Sequence, residues 1–344
     1  MMENRTEIAE LGEFGLIDHL TKNFEIHNAS TILSVGDDAA VIDHFGKQTV
    51  VTTDLLVEGI HFDLMYTPLK HLGYKSVMVN LSDVYAMNAI PTQITMSIAI
   101  SNRFSVEALD EFYEGVYLAC EKHGVDLVGG DTTTSNKGFI ISVTAIGEAG
   151  ADKIVKRSTA QKGELICGSG DLGGAFLGLT LMEREKKIYL ENPQLQPDLE
   201  NESYIVGRLL KPEARKGIIE FFEKNEILPT AMMDVSDGIS SEVLHLCKQS
   251  NLGCVVYEEK IPVSEDSRKA AYKFGLDPTV CALNGGEDYE LIFTLKQEDY
   301  DKITLNEEIS VIGYMTEIAD GCKLLTKGGN RFDITAQGWN AFQK

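Results

Sequence analysis

Apolar, strand-like segments that repeatedly run into aspartate are the feature that most constrains this chain. They read Val35-Gly36-Asp37-Asp38, Val51-Thr52-Thr53-Asp54, Leu127-Val128-Gly129-Gly130-Asp131 and Met233-Asp234-Val235-Ser236-Asp237-Gly238. Loops at strand ends are where sheet proteins bind ligands, so carboxylates delivered there from several strands can converge on one point. Converging carboxylates repel one another unless cations lie between them. The pattern therefore predicts a sheet protein with a cation-binding site.

Magnesium suits such a site because it is a hard cation that takes oxygen ligands, needing one or two carboxylates per ion plus substrate phosphates. A single aspartate such as Asp37 or Asp237 is more simply explained as a turn or helix-cap residue. Asp83 has no such explanation, because it forms one polar stripe with Ser76 and Asn80 on an otherwise apolar predicted helix. Taken together, the aspartates predict several Mg2+ ions and a polyphosphate substrate.

Strands and helices alternate in both halves of the chain, which indicates an α/β or α+β fold with parallel or mixed sheets. Helices are predicted at 75–88, 106–123 and 175–184, the second with Ser105 as its N-cap and Gly124 at its C-terminus. A polar stretch around 150–163 separates the halves, so we expect two domains, 1–150 and 151–344. Strands are predicted at 49–53, 94–100, 125–128, 139–146, 164–167, 231–235, 253–257 and 289–295.

Composition excludes several classes of protein. The 344 residues include 31 basic and 53 acidic ones, and the net charge of -22 would repel nucleic acid. We expect no membrane span, because no apolar run approaches the roughly 20 residues that one needs. The N-terminus shows no signal pattern, and the six cysteines are scattered without a CxxC pair. We therefore expect a cytoplasmic protein whose cysteines are reduced core residues.

Glycines beside the aspartates support a phosphate ligand. The pairs Gly129-Gly130 and Gly285-Gly286 let backbone approach a ligand with no Cβ in the way, and their N–H groups can face an anion. Lys156 and Arg157 supply positive charge, and a guanidinium is the better partner for phosphate oxygens. A solvated basic cluster explains these two cations equally well.

Other nucleotide and catalytic motifs are set aside. The segment Gly168-Ser169-Gly170-Asp171-Leu172-Gly173 matches GxGxxG, but no second long apolar strand follows the helix, so we interpret it as a tight strand-to-helix turn rather than a dinucleotide site. The chain lacks GxxxxGK[ST], the protein-kinase motif set, HExxH and GxSxG. The alternative to an enzyme is a non-catalytic, acidic protein that binds divalent cations.

Seven motifs, in this order and spacing, resemble those of the thiamine-monophosphate kinase family, which shares a superfamily with aminoimidazole ribonucleotide synthetase and selenophosphate synthetase. They are Gly12-Glu13-Phe14, Gly36-Asp37-Asp38-Ala39, Thr52-Thr53-Asp54 with Gly59-Ile60-His61-Phe62, Val79-Asn80-Leu81-Ser82-Asp83, Gly129-Gly130-Asp131-Thr132-Thr133, Val235-Ser236-Asp237-Gly238-Ile239 and Gly285-Gly286-Glu287-Asp288-Tyr289-Glu290. The resemblance covers nearly the whole chain. Selenophosphate synthetase fits less well, because its reactive residue lies near the N-terminus and the first cysteine here is Cys120.

The resemblance implies a two-domain PurM-like fold whose N-terminal domain contributes strands to a dimer β-barrel, with the site in the cleft between domains. It implies phosphoryl transfer from ATP to thiamine monophosphate by a homodimer, with Asp54, Asp131 and Arg157 as catalytic residues. Its metal ligands would be Asp38, Thr52, Thr53, Asp54, Asp83, Asp131, Asp234 and Asp237. Its ATP contacts would be Gly130, Arg157 and Ser236, and its thiamine phosphate contacts His61, Glu287 and Trp339.

Three positions depart from the family pattern. Asn88 and Thr159 replace glycines, and Lys211 replaces an arginine. We expect Asn88 to affect packing behind Asp83 and Thr159 to affect the geometry of Arg157. Trp339 also has a structural explanation, as an anchor for the last helix.

Overall fold

The computed structural model describes residues 31–33, 37–44, 46–101 and 103–337. Two mixed β-sheets and the helices packed on them make up this part of the chain. The motif Gly12-Glu13-Phe14, Gly36 and Trp339 lie outside the described residues.

The first sheet has the strand order β1-β2-β3-β6-β4-β5. Its strands are β1 Thr31–Leu33, β2 Ala40–His44, β3 Lys47–Val57, β4 Ile90–Ile100, β5 Asp126–Thr134 and β6 Ile140–Gly150. Neighbouring strands are antiparallel, except that β4 and β5 are parallel. Strand β3 pairs with β6 over its whole length, from Lys47 opposite Gly150 to Val57 opposite Ile140.

Two helices cover the inner face of this sheet, α1 Leu69–Ala86 and α2 Val106–His123. Helix α2 begins and ends as predicted, because the Ser105 side chain accepts a hydrogen bond from the Ala108 N–H and Gly124 adopts a left-handed φ of 71°. Helix α1 is buried on almost every side. A helix with so little solvent exposure must have packing partners on more than one face.

The second sheet supplies those partners. Its strand order is β13-β12-β9-β11-β7-β10-β8, and only β12 and β9 are parallel. The strands are β7 Leu165–Ser169, β8 Ala231–Asp234, β9 Leu252–Tyr257, β10 Leu291–Leu295, β11 Ile309–Glu317, β12 Cys322–Leu325 and β13 Arg331–Asp333. The helices of this half are α3 Gly174–Glu191, α4 Ser203–Leu210, α5 Lys216–Lys224, α6 Ile239–Ser250, α7 Glu265–Lys273, α8 Pro278–Asn284 and α9 Tyr300–Ile303.

Helix α1 lies between the two sheets, and its apolar side chains share one hydrophobic cluster with both. Met78 of α1, Val143 of β6 and Met232 of β8 are all fully buried members of that cluster. Burying a side chain of this size stabilises the fold by about 1.5–3 kcal/mol. The shared core fixes α1 against the end of β8, which is what positions the site described below.

The predicted strands and helices are present, but several of their predicted ends are wrong, among them those of α1, which begins at Leu69, and α3, which continues to Glu191. Asp54 lies within β3 and Asp131 within β5, because both strands continue through hydrogen-bonded pairing beyond the apolar run. Asp234 is the last residue of β8, one residue before the predicted end of that strand. The first sheet ends at Gly150 and the second begins at Leu165, and the division into domains at residue 150 stays a prediction. None of the described helices is long and apolar enough to cross a membrane.

Candidate active site

Three aspartates from distant parts of the chain form a carboxylate cluster, which we define as Asp38, Asp83 and Asp234. One oxygen of each lies within 4.8 Å of the others. Asp38 precedes β2, Asp83 lies on α1 and Asp234 ends β8. The cluster therefore joins the two sheets through α1.

Hydroxyl groups of β3 and α1 orient the cluster. The Thr52 hydroxyl donates to Asp83 Oδ2 over 2.6 Å, and the Ser82 hydroxyl donates to Asp234 Oδ2 over 2.7 Å. The family resemblance implies that Thr52 is a metal ligand, which stays a prediction, and it names Ser82 only within a motif. Each hydrogen bond favours the ionised form of the carboxylate that accepts it.

Asp54 lies beside the cluster, on the inner face of β3. Its backbone N–H donates to Asn80 Oδ1 over 3.0 Å, and Asn80 in turn donates to the Ser76 carbonyl oxygen over 3.0 Å. The predicted polar stripe on α1 is confirmed, and it ties that helix to β3. Only its last member, Asp83, belongs to the carboxylate cluster.

Burial makes the ionised form of these carboxylates less favourable and so raises their pKa values. It raises the pKa of Asp54 to about 6 and, with help from Asp38 and Asp54, that of Asp234 to about 8. The pKa of Asp83 is raised well above its ordinary value by burial and by Asp54, Asp234 and Asp38. Carboxylates held together against such costs are typical of a site that binds cations.

Arg157 is the cation that contacts the cluster in the described structure. Its Nε donates to Asp38 Oδ2 over 2.7 Å and its Nη2 to Asp38 Oδ1. Its backbone N–H donates to Asp37 Oδ2 over 3.2 Å. Burial would lower the pKa of Arg157, but Asp38 and Asp37 raise it above its ordinary value. The guanidinium is thus already paired with Asp38, and a phosphate would have to compete with that carboxylate for it.

A cavity of about 150 Å³ opens beside the cluster. Six of the residues predicted from the sequence contribute to its wall, namely Asp54, His61, Asp83, Asp234, Ser236 and Glu287. The structure therefore brings predicted metal ligands and predicted substrate contacts to one place. Burial lowers the pKa of His61, whose Nδ1 accepts a hydrogen bond from the Val57 N–H over 3.0 Å.

Lys75 is a site residue that the sequence analysis missed. Its side chain is only 4% exposed, and its Nζ lies 3.0 Å from Glu287 Oε1 and 3.4 Å from the Leu209 carbonyl oxygen. A buried lysine needs such a partner, because an unpaired buried charge is very costly. The signal available in the sequence was a lysine next to Ser76, inside a helix that is otherwise apolar.

Some side chains of the motif Gly285-Gly286-Glu287-Asp288-Tyr289-Glu290 face the cavity, and others are buried in the core. Glu287 and Tyr289 line the cavity. Asp288 and Glu290 are fully buried and point elsewhere, each forming an ion pair with Arg208. Glu287 and Tyr289 both have a left-handed backbone, with φ of 64° and 50°, so the segment turns at each of them and one motif serves both the site and the core.

Asp288 also explains why the GxGxxG match is not a dinucleotide site. Its carboxylate accepts hydrogen bonds from the backbone N–H groups of Gly173, over 2.6 Å, and Ala175, over 3.2 Å. These groups are at the start of α3, where a dinucleotide fold would bind pyrophosphate. A side chain of the protein already occupies the anion position.

Two of the predicted metal ligands on the first sheet lie away from the cluster. Thr53 is on the outer face of β3, and its hydroxyl donates to the Val143 carbonyl oxygen over 2.9 Å. Asp131 is exposed on the same outer face, three strands away from β3. Three strand spacings amount to about 14 Å. Within one chain, therefore, the Thr53 and Asp131 side chains do not join the carboxylate cluster, because strand alternation turns them away from it.

Gly130 and the backbone of Asp237 have structural roles. A Cβ on Gly130 would lie 1.8 Å from the Met96 carbonyl oxygen, so pairing of β5 with β4 requires glycine there. The Asp237 N–H donates to Glu242 Oε1 over 2.9 Å at the start of α6. Asp237 is not a member of the carboxylate cluster within the described residues. An ATP contact by Gly130 and a metal contact by Asp237 stay predictions.

Two departures from the family pattern are accommodated locally. Asn88 follows α1 with a left-handed φ of 54°, the conformation that asparagine tolerates best after glycine, and its Nδ2 donates to the Lys153 carbonyl oxygen over 2.9 Å. The Thr159 hydroxyl donates to the Lys156 carbonyl oxygen over 3.3 Å. Both side chains are bonded to the segment that leads to Arg157, so they help to fix its backbone.

Comparison with known proteins agrees with this geometry. Residues 36–149 match the family model for the AIR synthase related protein, N-terminal domain. The chain is 34% identical over 329 residues to the thiamine-monophosphate kinase of Aquifex aeolicus, covering 94% of this chain and 99% of that protein. It is 30% identical over 344 residues to the Bacillus subtilis enzyme of the same name, covering 97% and 100%.

Solved structures show the same relationship. The structure of AaThiL complexed with AMPPCP and TMP superposes with a TM-score of 0.83 at 31% identity, over 99% of this chain and all of that one. Hydrogenase maturation protein HypE in complex with ATP gives a TM-score of 0.69 at 20% identity, over 98% of this chain and 99% of that one, a likeness of fold alone.

Two mixed sheets with a carboxylate cluster between them place this chain among proteins of the PurM-like α/β fold. The chain belongs to the thiamine-monophosphate kinase family, and it is an ATP-dependent kinase. This assignment excludes the alternative of a non-catalytic cation-binding protein.

Proposed function

We propose that this chain transfers the γ-phosphoryl group of ATP directly to thiamine monophosphate, giving thiamine diphosphate and ADP. The observation that supports it best is the carboxylate cluster at the wall of the cavity that also contains His61, Ser236 and Glu287. The AaThiL complex with AMPPCP and TMP, at 31% identity over almost the whole chain, supports the choice of substrates.

Magnesium fits the donor set. Asp38, Asp54, Asp83 and Asp234 offer hard oxygen donors close together, and Arg157 is a single cation among them. These four aspartates would hold the metal ions, together with phosphate oxygens of the substrates. Bound magnesium would supply charge neutralisation between two anionic substrates.

The side chains of the cavity suit the second substrate. The acceptor atom is a phosphate oxygen, which is largely anionic at neutral pH because the second phosphate pKa is about 6, so no general base is needed. Glu287 places a carboxylate at the cavity wall, where it is complementary to the cationic thiazolium ring. Lys75 is bonded to Glu287 and holds it in position. His61 lines the same cavity and, with its lowered pKa, is neutral near pH 7.

Direct transfer predicts that no phosphoenzyme forms. The enzyme incubated with labelled ATP alone should carry no label after rapid quenching, whereas thiamine monophosphate should lead to labelled thiamine diphosphate. Trapping of a labelled protein that then reacts with thiamine monophosphate would contradict the direct route.

A homodimer is the second part of the proposal. The outer face of the first sheet exposes Leu55 and Val128, each more than half accessible, and β5 is an edge strand. Pairing with a second copy would cover that face, and it would bring Asp131 into contact with the partner. Light scattering should give twice the chain mass, and Leu55→Glu should shift the protein towards the monomer; a monomeric parent protein would refute this part.

The kinase is tested by ADP release with and without thiamine monophosphate. We expect acceptor-dependent turnover that is lost in Asp54→Asn, while the matched change Asp43→Asn, at an exposed position of β2, leaves it intact. Turnover with another phosphate acceptor but not with thiamine monophosphate would keep the fold and refute the substrate. The six free cysteines agree with a cytoplasmic location, which we propose as well.

A further inference from the structure

Three cysteines that the sequence left scattered come together in the second half of the chain. The Sγ atoms of Cys247, Cys254 and Cys322 lie within 4.8 Å of one another. Cys254 is in β9 and Cys322 in β12, where they are paired in parallel register, so their side chains share one face of the sheet. Cys247 of α6 packs on that face, within the same hydrophobic cluster. The expectation that all six are ordinary core residues overlooks this convergence.

The group differs from the carboxylate cluster in chemistry. Its donors are soft sulfur atoms, which favour zinc and other thiophilic ions over magnesium. Within the described part of the chain, no histidine or carboxylate completes the group as a fourth donor. Cys254 and Cys247 are buried, whereas Cys322 is partly exposed, which leaves one side through which an ion and a water molecule can enter.

We propose that Cys247, Cys254 and Cys322 form a trithiolate site for a divalent thiophilic metal ion of the zinc and cadmium class. Zinc–sulfur bonds of about 2.3 Å in tetrahedral geometry place the sulfurs about 3.8 Å apart. The observed separations need to shorten by about 1 Å at most, which small side-chain rotations provide. The open position would take a water on the Cys322 side.

Charge decides between the candidate ions. Binding converts three thiols to thiolates and releases three protons, so a divalent ion leaves a net charge of -1 and a monovalent ion leaves -2. Burial of the larger charge in an apolar cluster costs more. The site therefore favours a divalent ion, and it would link α6 to β9 and β12 away from the carboxylate cluster.

Cadmium is the probe, because thiolate coordination gives it a sulfur-to-metal charge-transfer absorption that carboxylates do not give. The full-length, reduced protein is titrated with Cd2+ without oxygen and with excess Mg2+ present, so that the carboxylates are occupied. We expect the absorption to saturate at one equivalent, with release of about three protons per ion. We also expect a melting temperature that rises with Cd2+ concentration.

Cys247→Ser and Cys322→Ser should weaken cadmium binding by about tenfold or more, whereas Cys281→Ser, a buried cysteine outside the group, should not change it. Circular dichroism checks that each variant is folded. If a variant unfolds, the proton count and absorption of the unmodified protein decide the question alone. Absence of the charge-transfer band, unchanged affinity in the folded variants, or a Cys254–Cys322 disulfide in anaerobic protein would overturn the proposal.

Discussion

Replacing Asp54 by asparagine should affect stability in opposite directions with and without magnesium. The Asp54 side chain has a pKa raised from 3.8 to about 6, and burial is the cause. Because the folded state holds its proton more tightly than the unfolded state, ionisation opposes folding, and the penalty is complete above pH 6. About two pKa units correspond to about 3 kcal/mol.

Asparagine has nearly the same shape and no charge to desolvate. In chelator near pH 8, Asp54→Asn should therefore leave the free energy of unfolding unchanged or raise it by up to about 3 kcal/mol. The backbone N–H of residue 54 keeps its bond to Asn80 in either case. With magnesium at about a thousand times its Kd the order should reverse, because binding then stabilises the parent protein by about 4.1 kcal/mol, more than the variant gains. The variant lacks one donor and should receive little of this stabilisation.

Urea denaturation followed by circular dichroism measures both differences, with Asp43→Asn as the control for loss of an exposed charge. The reasoning fails if Asp54→Asn lowers the metal-free stability by more than about 1 kcal/mol, since Asp54 would then make structural interactions that its ionisation penalty does not outweigh. It also fails if magnesium stabilises parent and variant equally.

Three further predictions concern protons, Lys75 and Gly130. Magnesium must displace protons from carboxylates with pKa values of about 6 to about 8, so its affinity should fall as pH drops through that range in calorimetric titrations; a flat profile would contradict this. Lys75→Met should raise the KM for thiamine monophosphate and lower the free energy of unfolding by about 1–3 kcal/mol. Its control is Lys70→Met on the same helix, α1, which removes only an exposed ion pair with Glu114 of α2 and should change neither quantity. Gly130→Ala should lower stability by several kcal/mol in urea denaturation, because its Cβ would meet the Met96 carbonyl oxygen, while Gly129→Ala, with 3.9 Å to its nearest neighbour, should cost at most about 1 kcal/mol. If Gly130→Ala changed the KM for ATP and left the stability unchanged, Gly130 would bind ATP without being needed for strand pairing.

The sequence predicted most elements from local patterns. It also predicted six of the ten residues of the cavity wall, but His61, Ser236 and Glu287 were among them only through the family resemblance. Helix α2 has its predicted bounds, since Ser105 and Gly124 are strong capping signals. The end of β8 was predicted to within one residue, because Asp234 is the first polar residue after a short buried apolar run. The polar stripe of α1 was found because its spacing follows the helical period.

The errors come from long-range pairing. The apolar run before Asp54 ends there, but β3 continues to Val57 because β6 supplies partners for it, which no local pattern records. Lys75 was missed for a related reason. Its counter-ion is Glu287, more than two hundred residues later in the chain. A buried charge is explained only by the partner that the fold brings to it.

Strand alternation determines which motif residues can share one site. Thr52 and Asp54 face α1 and the carboxylate cluster, whereas Thr53 between them faces outwards. Asp131 lies on the outward face as well, so it can act in phosphoryl transfer only if that face is part of a site too. Leu55 and Val128 are exposed, and the proposed homodimer would cover this face. Loss of activity in Asp131→Asn with an intact dimer would therefore place part of the catalytic machinery at the subunit interface, whereas full activity would restrict that machinery to the inner face of each chain.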